Sequence, residues 1–424
     1  MRIGSSPQRA VVVETAPPPA SVAEAPVQVP RRSAEQPSRT PRERLDSIDL
    51  LRGLVMVVMA LDHVRDYFSE SRFDPLDLSR TTIPLAFTRW ITHFCAPVFV
   101  FLAGTGAYLS LQRGKSRSAV SRFLLTRGLW LIFLELTVVR LAWEFNFNYS
   151  FAFVQVIWAI GWSMVALSAL VFLPSRAVGA IGAVMIFTHN LFDGVDPGSL
   201  GFFGWPWQDL HAGGPISYAP RHVLLIVYPL IPWVGVMAAG FAFGELLTLE
   251  GARRRKVLLS LGGGHMLLFV LLRGFNLYGD PLPWSVQRSA AMSVISFLSC
   301  LKYPPSLLYL AMTLGPAIAL LVLLEKWKGR GAGFFLVFGR VPMFYYILHI
   351  YLIHLLALGT AALMVLNVGF IFSAPFFSTP AAGWGFGLPA VYGFWALTIL
   401  ILFPLCRWFA AVKKRRKDPW LSYL

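Results

Sequence analysis

The chain predicts an all-α, polytopic transmembrane helical bundle of about ten spans, and three observations carry that prediction. Apolar runs long enough to cross a bilayer recur from residue 47 to residue 411. Charged residues make up 14% of the 424, against roughly a quarter in a soluble domain. The basic residues cluster at the ends of the runs instead of forming one patch, so a net charge of +16 does not argue for a nucleic-acid partner.

The expected spans are 47–68, 85–111, 120–142, 152–173, 176–192, 222–247, 256–273, 303–324, 334–366 and 388–411. Span five is short, and span nine is long enough to tilt or kink. Residues 286–300 are apolar but brief: an interfacial or re-entrant helix, or an eleventh crossing. Arg42 and Arg44 precede span one, and Arg113 to Arg122 follow span two. Arg253 to Lys256 follow span six, Lys326 to Arg330 follow span eight, and Lys413 to Lys417 follow span ten. With ten spans all of these share one side, which makes both termini cytoplasmic. Residues 1–44, rich in Pro, Ala, Ser and Arg, read as a disordered cytoplasmic tail without a signal-peptide core. Residues 45–411 form the membrane domain, and 412–424 a basic cytoplasmic tail. Cys95, Cys300 and Cys406 lie far apart with no metal-ligand spacing, so neither disulfides nor a metal, zinc included, are expected. No bound cofactor is expected either, because Walker, dinucleotide, serine-elbow and HExxH patterns are missing from the sequence.

Span one carries the most informative pair. Arg52 and His63 are eleven residues apart, which returns a helix to within about 20° of its starting direction, roughly 16 Å further on. Asp49 and Asp66 share that stripe, whereas Asp62 points about 100° from His63. Ionisable groups inside a membrane helix are costly and imply function. His63 reads as a general base or acyl acceptor oriented by Asp66, with Asp62 the weaker partner; the alternative is a polar contact between helices. Asp49 is equally an early-helix acid complementing the dipole.

Span two places His93 at a depth similar to His63, and Pro97 frees a carbonyl and can bend the helix toward a cavity. Gly104 and Gly106 read as close-packing residues. His189 and Asp193 end span five before the longest outer loop, where tryptophans act chiefly as interfacial anchors. Asn276, Asp280 and Lys302 lie in outer loops, as polar lining of a pocket or as loop architecture. In span nine His349 sits near the bilayer middle. His354, five residues on and about 140° round, cannot share a metal with it and reads as interfacial.

Taken in order, these motifs resemble the bacterial DUF1624 family, which shares its catalytic-domain signature with heparan-α-glucosaminide N-acetyltransferase and is similar to the YeiB-like membrane proteins. The resemblance covers about 45–411. It rests on Asp49-Leu-Leu-Arg52-Gly, Leu61-Asp62-His63-Val-Arg65-Asp66-Tyr67 and Thr92-His93-Phe-Cys-Ala-Pro97. It continues through His189-Asn190-Leu-Phe-Asp193, Tyr228-Pro-Leu-Ile-Pro232-Trp-Val-Gly235, Asn276-Leu-Tyr-Gly-Asp280-Pro, Lys302-Tyr-Pro-Pro-Ser306 and Phe338-Gly-Arg340-Val-Pro342. A looser similarity is to acyltransferase-3 membrane enzymes, whose first helix carries Arg, ten residues and an essential His.

The resemblance implies a multi-pass acyltransferase of the bacterial inner membrane. Cytoplasmic acetyl-CoA would be the co-substrate, held by Arg52, Asp49 and Arg340. The acyl group would pass by way of His63, Asp66 and Asp62 to a hydroxyl or amine of an outward-facing sugar, glycolipid or envelope glycan. His93, His189, Asp193, Asn276, Asp280, Lys302, His349 and Asp74 are the acceptor-side candidates, and a homodimer is implied. In the animal lysosomal enzyme the segment after the first helix supplies a catalytic histidine. Here Ser69 to Asp77 contains none, so His63 carries that role or Asp74 substitutes in part. The alternative is a transporter or flippase of a polar lipid or sugar.

Overall fold

The computed structural model describes residues 10–14, 16, 46–373, 380–416 and 418–423. The chain divides into residues 1–43 and 44–424. In the first unit the described residues are exposed and irregular, and the expected tail otherwise lies outside the described residues.

The second unit is mostly helical. It begins with α1 (Asp46–Phe68), whose first turn carries Asp46 and Asp49 and whose last carries Arg65, a charge order that complements the helix dipole. Most of α1 is buried, with Asp49, Asp62 and Arg65 among the buried residues, so it forms the centre of the bundle. Then come α2 (Ile83–Thr92) and α3 (Cys95–Gln112), separated by a break at His93-Phe94. Pro97 has no N–H to give the His93 carbonyl, and Tyr309 Oη donates to that carbonyl at 2.7 Å instead.

The run α4 (Arg117–Leu134) and α5 (Arg140–Glu144) is joined by a π turn, Glu135–Val139. β1 (Phe151–Val154), α6 (Val156–Leu170) and α7 (Ser175–Thr188) follow. After α7 come the short α8 (Gly204–Trp207), β2 (Gly214–Ala219) and β3 (His222–Ile226), then α9 (Leu230–Leu246) and α10 (Gly251–Gly274). The last helices are α11 (Ala290–Leu298), α12 (Leu307–Leu324), α13 (Arg330–Arg340), α14 (Pro342–Leu363) and α15 (Leu388–Arg415).

Helices occupy the ten stretches where spans are expected. By length and composition five are long and apolar enough to cross a membrane: the run Ile83–Gln112, α10, α12, α14 and α15, with a sixth if the bent pair Ser175–Phe192 and Pro197–Ala212 counts as one. Two stretches left open in the sequence resolve, and a third differs from expectation, each for a physical reason. α11 has nine residues, about 14 Å of helix, which is too short for an eleventh crossing. Span nine breaks at Val341, where Pro342 starts a new helix. The starts of spans four and six are strands in a sheet of order β1-β3-β2, with β1 parallel and β2 antiparallel to β3. Apolar strand residues lead within one to three residues into apolar helices there, and hydrophobicity alone does not separate the two.

Two close approaches position the site. A Cβ on Gly53 would meet the Phe335 carbonyl oxygen at 1.9 Å, and one on Gly339 would meet that of Asp49 at 1.8 Å. α1 and α13 therefore touch backbone to backbone, which brings Arg52 beside Arg340. Gly104 likewise lets α3 approach α9, whereas Gly106 faces open space.

Candidate functional site

Three cavities lie in series along α1. The first, about 470 Å³, surrounds the Arg52 end. Arg52, Arg113, Arg127, Arg340 and Lys413 line it against one carboxylate, Asp49, among its described lining residues. Asp49 pairs with Arg52 at 3.0 Å, and Arg340 lies 3.5 Å from Asp46. Deeper in, the walls turn apolar, with Met56, Leu131 and Ile157, and Tyr346 places a buried hydroxyl that has no partner among the described residues. An open, strongly positive mouth leading to an apolar throat suits a ligand with a phosphorylated head and a long uncharged arm.

The second cavity, about 110 Å³, shares Phe99 and Val156 with the first and holds His63. His63 Nδ1 lies 2.6 Å from His349 Nε2, with the two rings stacked at 4.9 Å. The other nitrogen of His349, Nδ1, is 3.1 Å from the Tyr345 carbonyl, which can only accept. In the neutral pair His349 therefore carries its proton on Nδ1, and its Nε2 accepts from His63 Nδ1–H. His63 Nε2 is left with its lone pair, the form a base or nucleophile requires. The Trp143 ring stands edge-on to His63 at 5.0 Å, carried there by the helix that follows the π turn.

Asp62 is the hub of the ionic groups. It accepts from Arg89 Nη1 at 2.6 and 2.8 Å and is ion-paired with Arg65 Nη2 at 2.9 Å, with Lys302 Nζ at 4.0 Å. Asp66 pairs with Arg65 at 2.6 Å. Three cations face two carboxylates, so one positive charge remains in excess, and Arg65 Nη1 is buried with no partner among the described residues. A spare buried donor beside a cavity is a place for an anion or developing oxyanion.

The third cavity, about 350 Å³, shares Arg65, Asp66 and Gln155 with the second. Arg72, Asp74 and the rings of Trp143 and Phe153 line it, and the sheet contributes Leu225. Asp74 Oδ1 also caps the backbone N–H of Leu76 at 2.9 Å.

The structure thus gathers His63, Asp62, Asp66, Lys302 and His349 at the centre, Arg52, Asp49 and Arg340 at one end, and Asp74 at the other. It corrects several expectations. Asp62 outranks Asp66 as the organising acid, because Arg89 and Lys302 arrive from other elements, and His63 bonds His349 instead of Asp66. His93 does not line the His63 cavity, and its ring packs edge-on to Tyr309 at 5.4 Å. Asn276 braces the backbone of Trp284 through both amide atoms. Asp280 accepts from Leu282 N, Leu301 N and Ser306 Oγ, so both residues are loop architecture. His189 and Asp193 group with His211, outside the three cavities. His354 is fully buried, with its ring nitrogens against the Ala142 and Ile371 carbonyls.

Sequence reasoning missed Arg65, Arg89, Arg127, Trp143 and Tyr346 as site residues. Arg89 alone left a signal, as the one charge in an otherwise uncharged helix.

A family model described as heparan-alpha-glucosaminide N-acetyltransferase, catalytic, matches residues 44–274, more than half of the chain. The chain belongs to this family. No curated protein matches it. Family membership and the apolar helices make it an acetyltransferase-like membrane protein. The match contains α1 with its Arg52 and His63, whereas His349, Lys302 and Arg340 lie beyond it.

Proposed function

We propose that this protein is an inner-membrane acetyltransferase that carries an acetyl group from cytoplasmic acetyl-CoA to a hydroxyl or amine of an outward-facing sugar or envelope glycan. The observation that carries this reading is the series of three cavities, each sharing wall residues with the next, with His63 in the middle one. CoA phosphates would sit among Arg52, Arg113, Arg127, Arg340 and Lys413, and the uncharged arm would follow the apolar throat toward His63. The side bearing these cations is read as cytoplasmic because the basic inter-helix segments share it. The third cavity, with aromatic rings beside Arg72 and Asp74, would take the sugar.

Chemically, His63 Nε2 accepts the proton of the acceptor hydroxyl or amine as that atom bonds to the thioester carbonyl. Lys302, Arg89 and Arg65 Nη1 offset the oxyanion charge. The C–S bond then breaks, and the proton passes to the departing CoA thiolate. His349 fixes the reactive tautomer. In the relay variant the same lone pair takes the acetyl group first. An intact-mass measurement with acetyl-CoA and no acceptor separates the two, because only the relay leaves an acetyl adduct on the protein.

The decisive experiment is mass spectrometry of envelope glycans from a deletion strain, complemented with wild type or His63→Ala, together with acetyl-CoA binding to protein in nanodiscs. Acetylation should vanish in the deletion, return with wild type and stay absent with His63→Ala, while the variant still binds acetyl-CoA. No binding by wild type, with uptake driven by a proton gradient, would sustain the transporter alternative instead.

A further inference from the structure

We propose that His189, Asp193 and His211 form a site for one divalent transition-metal ion of the zinc class, apart from the transfer path. His189 opens the 3₁₀ turn that ends α7, Asp193 caps that turn, and His211 comes from the π turn Gln208–Ala212 after α8. One ligand atom from each lies within 4.8 Å of the others.

The independent observation is His189 itself. It is 1% exposed, and neither Nδ1 nor Nε2 has a hydrogen-bond partner among the described residues. A buried imidazole with both nitrogens unsatisfied is costly unless something ligates it.

The surroundings hold the other two ligands in place. The His211 ring stacks on Trp207 at 4.9 Å, with Nε2 3.6 Å from Asp193 Oδ1; its Nε2–H donates to the His189 carbonyl oxygen at 2.8 Å, a bond that a metal at Nε2 would replace. Asn190 Nδ2 holds Asp193 Oδ2 at 2.9 Å, which leaves Oδ1 turned toward the histidines.

Two imidazoles and a carboxylate suit zinc and its neighbours, whereas calcium and magnesium require oxygen shells. Metal bonds of about 2.1 Å set tetrahedral ligand atoms about 3.4 Å apart, so the three groups close by about an ångström. Asp193 stands on a partly exposed turn and can move. A recess of about 380 Å³ lined by Asp193, Asp196 and His211 supplies the route in and room for a fourth ligand, water. The histidines and Asp193 are spaced 4 and 18 residues apart with no cysteine, which hides the site from a motif search.

The ion would act as a clamp. Leu301 and Pro304 line the same recess, and Asn190 Oδ1 accepts from Leu307 N at 2.9 Å. The site thereby anchors the segment that carries Lys302 and Tyr303, making the three ligands positioning residues.

Tag-free full-length protein in nanodiscs, stripped with EDTA, would be titrated with Co²⁺ and then with Zn²⁺ as competitor. Expected are uptake of a single equivalent, visible bands of four-coordinate cobalt, their loss to zinc, and weaker binding as pH falls because protons compete for the ligands. His189→Ala, Asp193→Asn and His211→Ala should each weaken binding by more than about 100-fold, beyond what loss of a supporting partner costs, and His222→Ala should not. Zinc should raise the thermal midpoint of wild type and leave that of His189→Ala unmoved, with the two metal-free midpoints close together. Absence of stoichiometric uptake by wild type overturns the proposal, and that arm depends on no variant. Unchanged uptake in folded His189→Ala does so as well.

Discussion

The two ends of α1 are built on opposite principles. At the Arg52 end, five cations and one carboxylate are among the described residues lining a cavity of about 470 Å³. At the His63 end, three cations face two carboxylates and a histidine pair around about 110 Å³. The first arrangement gathers an excess of positive charge, as the proposed CoA polyanion would require. The second spends its charges on one another and so fixes geometry, leaving one lone pair on His63 and one spare donor on Arg65. On the proposed function one helix would separate affinity from chemistry, and substitutions at its two ends should fail in different ways.

The largest effect is expected at His63. His63→Ala should lower acetyl transfer by about 10²–10⁴-fold, the usual contribution of a positioned general base, with acetyl-CoA affinity within twofold of wild type. A transfer assay alongside equilibrium binding checks both halves. A parallel loss of binding would mean that the two ends are not separable.

Asp62→Asn comes next, as a loss of stability. It removes the carboxylate that Arg65 and Arg89 share and leaves those cations buried against each other. Breaking a buried ion pair in this way costs about 3–5 kcal/mol. Thermal unfolding in detergent, compared with His63→Ala as the folded reference, measures it. Asp66→Asn should cost far less, because that side chain is 36% exposed.

These contrasts mark how far the sequence could be read. The helix wheel of α1 put Arg52 and His63 on one stripe, and both line the connected cavities. Close packing was read for Gly104 and Gly106, of which only Gly104 meets another helix, whereas the contact of Gly53 with Gly339 went unread. The wheel ranked Asp66 above Asp62 because it knows only one helix. Which acid matters was decided by Arg89 and Lys302, which arrive from elements 27 and 240 residues away. His349 was singled out for its depth alone, since its pairing with His63 is a tertiary fact. The strands before α6 and α9 were illegible because short apolar strands and apolar helices follow each other within one to three residues.

At the other end of α1, Arg52→Gln combined with Arg340→Gln should raise the acetyl-CoA dissociation constant about tenfold, close to 1.4 kcal/mol, without changing the rate at saturation. Raised salt should weaken wild-type binding more than that of the double variant, because these contacts are solvent-screened. Lys302→Met should do the reverse, lowering the rate at saturation while leaving affinity and its salt dependence in place.

The smallest effect is the most discriminating, because it repeats one substitution at both ends of the helix. Asp49→Asn deletes the carboxylate that lines the positive cavity. Its pair with Arg52 is an i,i+3 contact on a guanidinium 22% exposed, so the stability loss should stay below about 1 kcal/mol. Removing a negative charge from a polyanion site should tighten acetyl-CoA binding, by roughly two- to fivefold for a screened charge. Aspartate to asparagine should thus improve ligand binding at residue 49 and lower stability at residue 62. Weaker binding in Asp49→Asn would show that Asp49 orients Arg52 toward the ligand, which would make the mouth as much a positioning device as the centre.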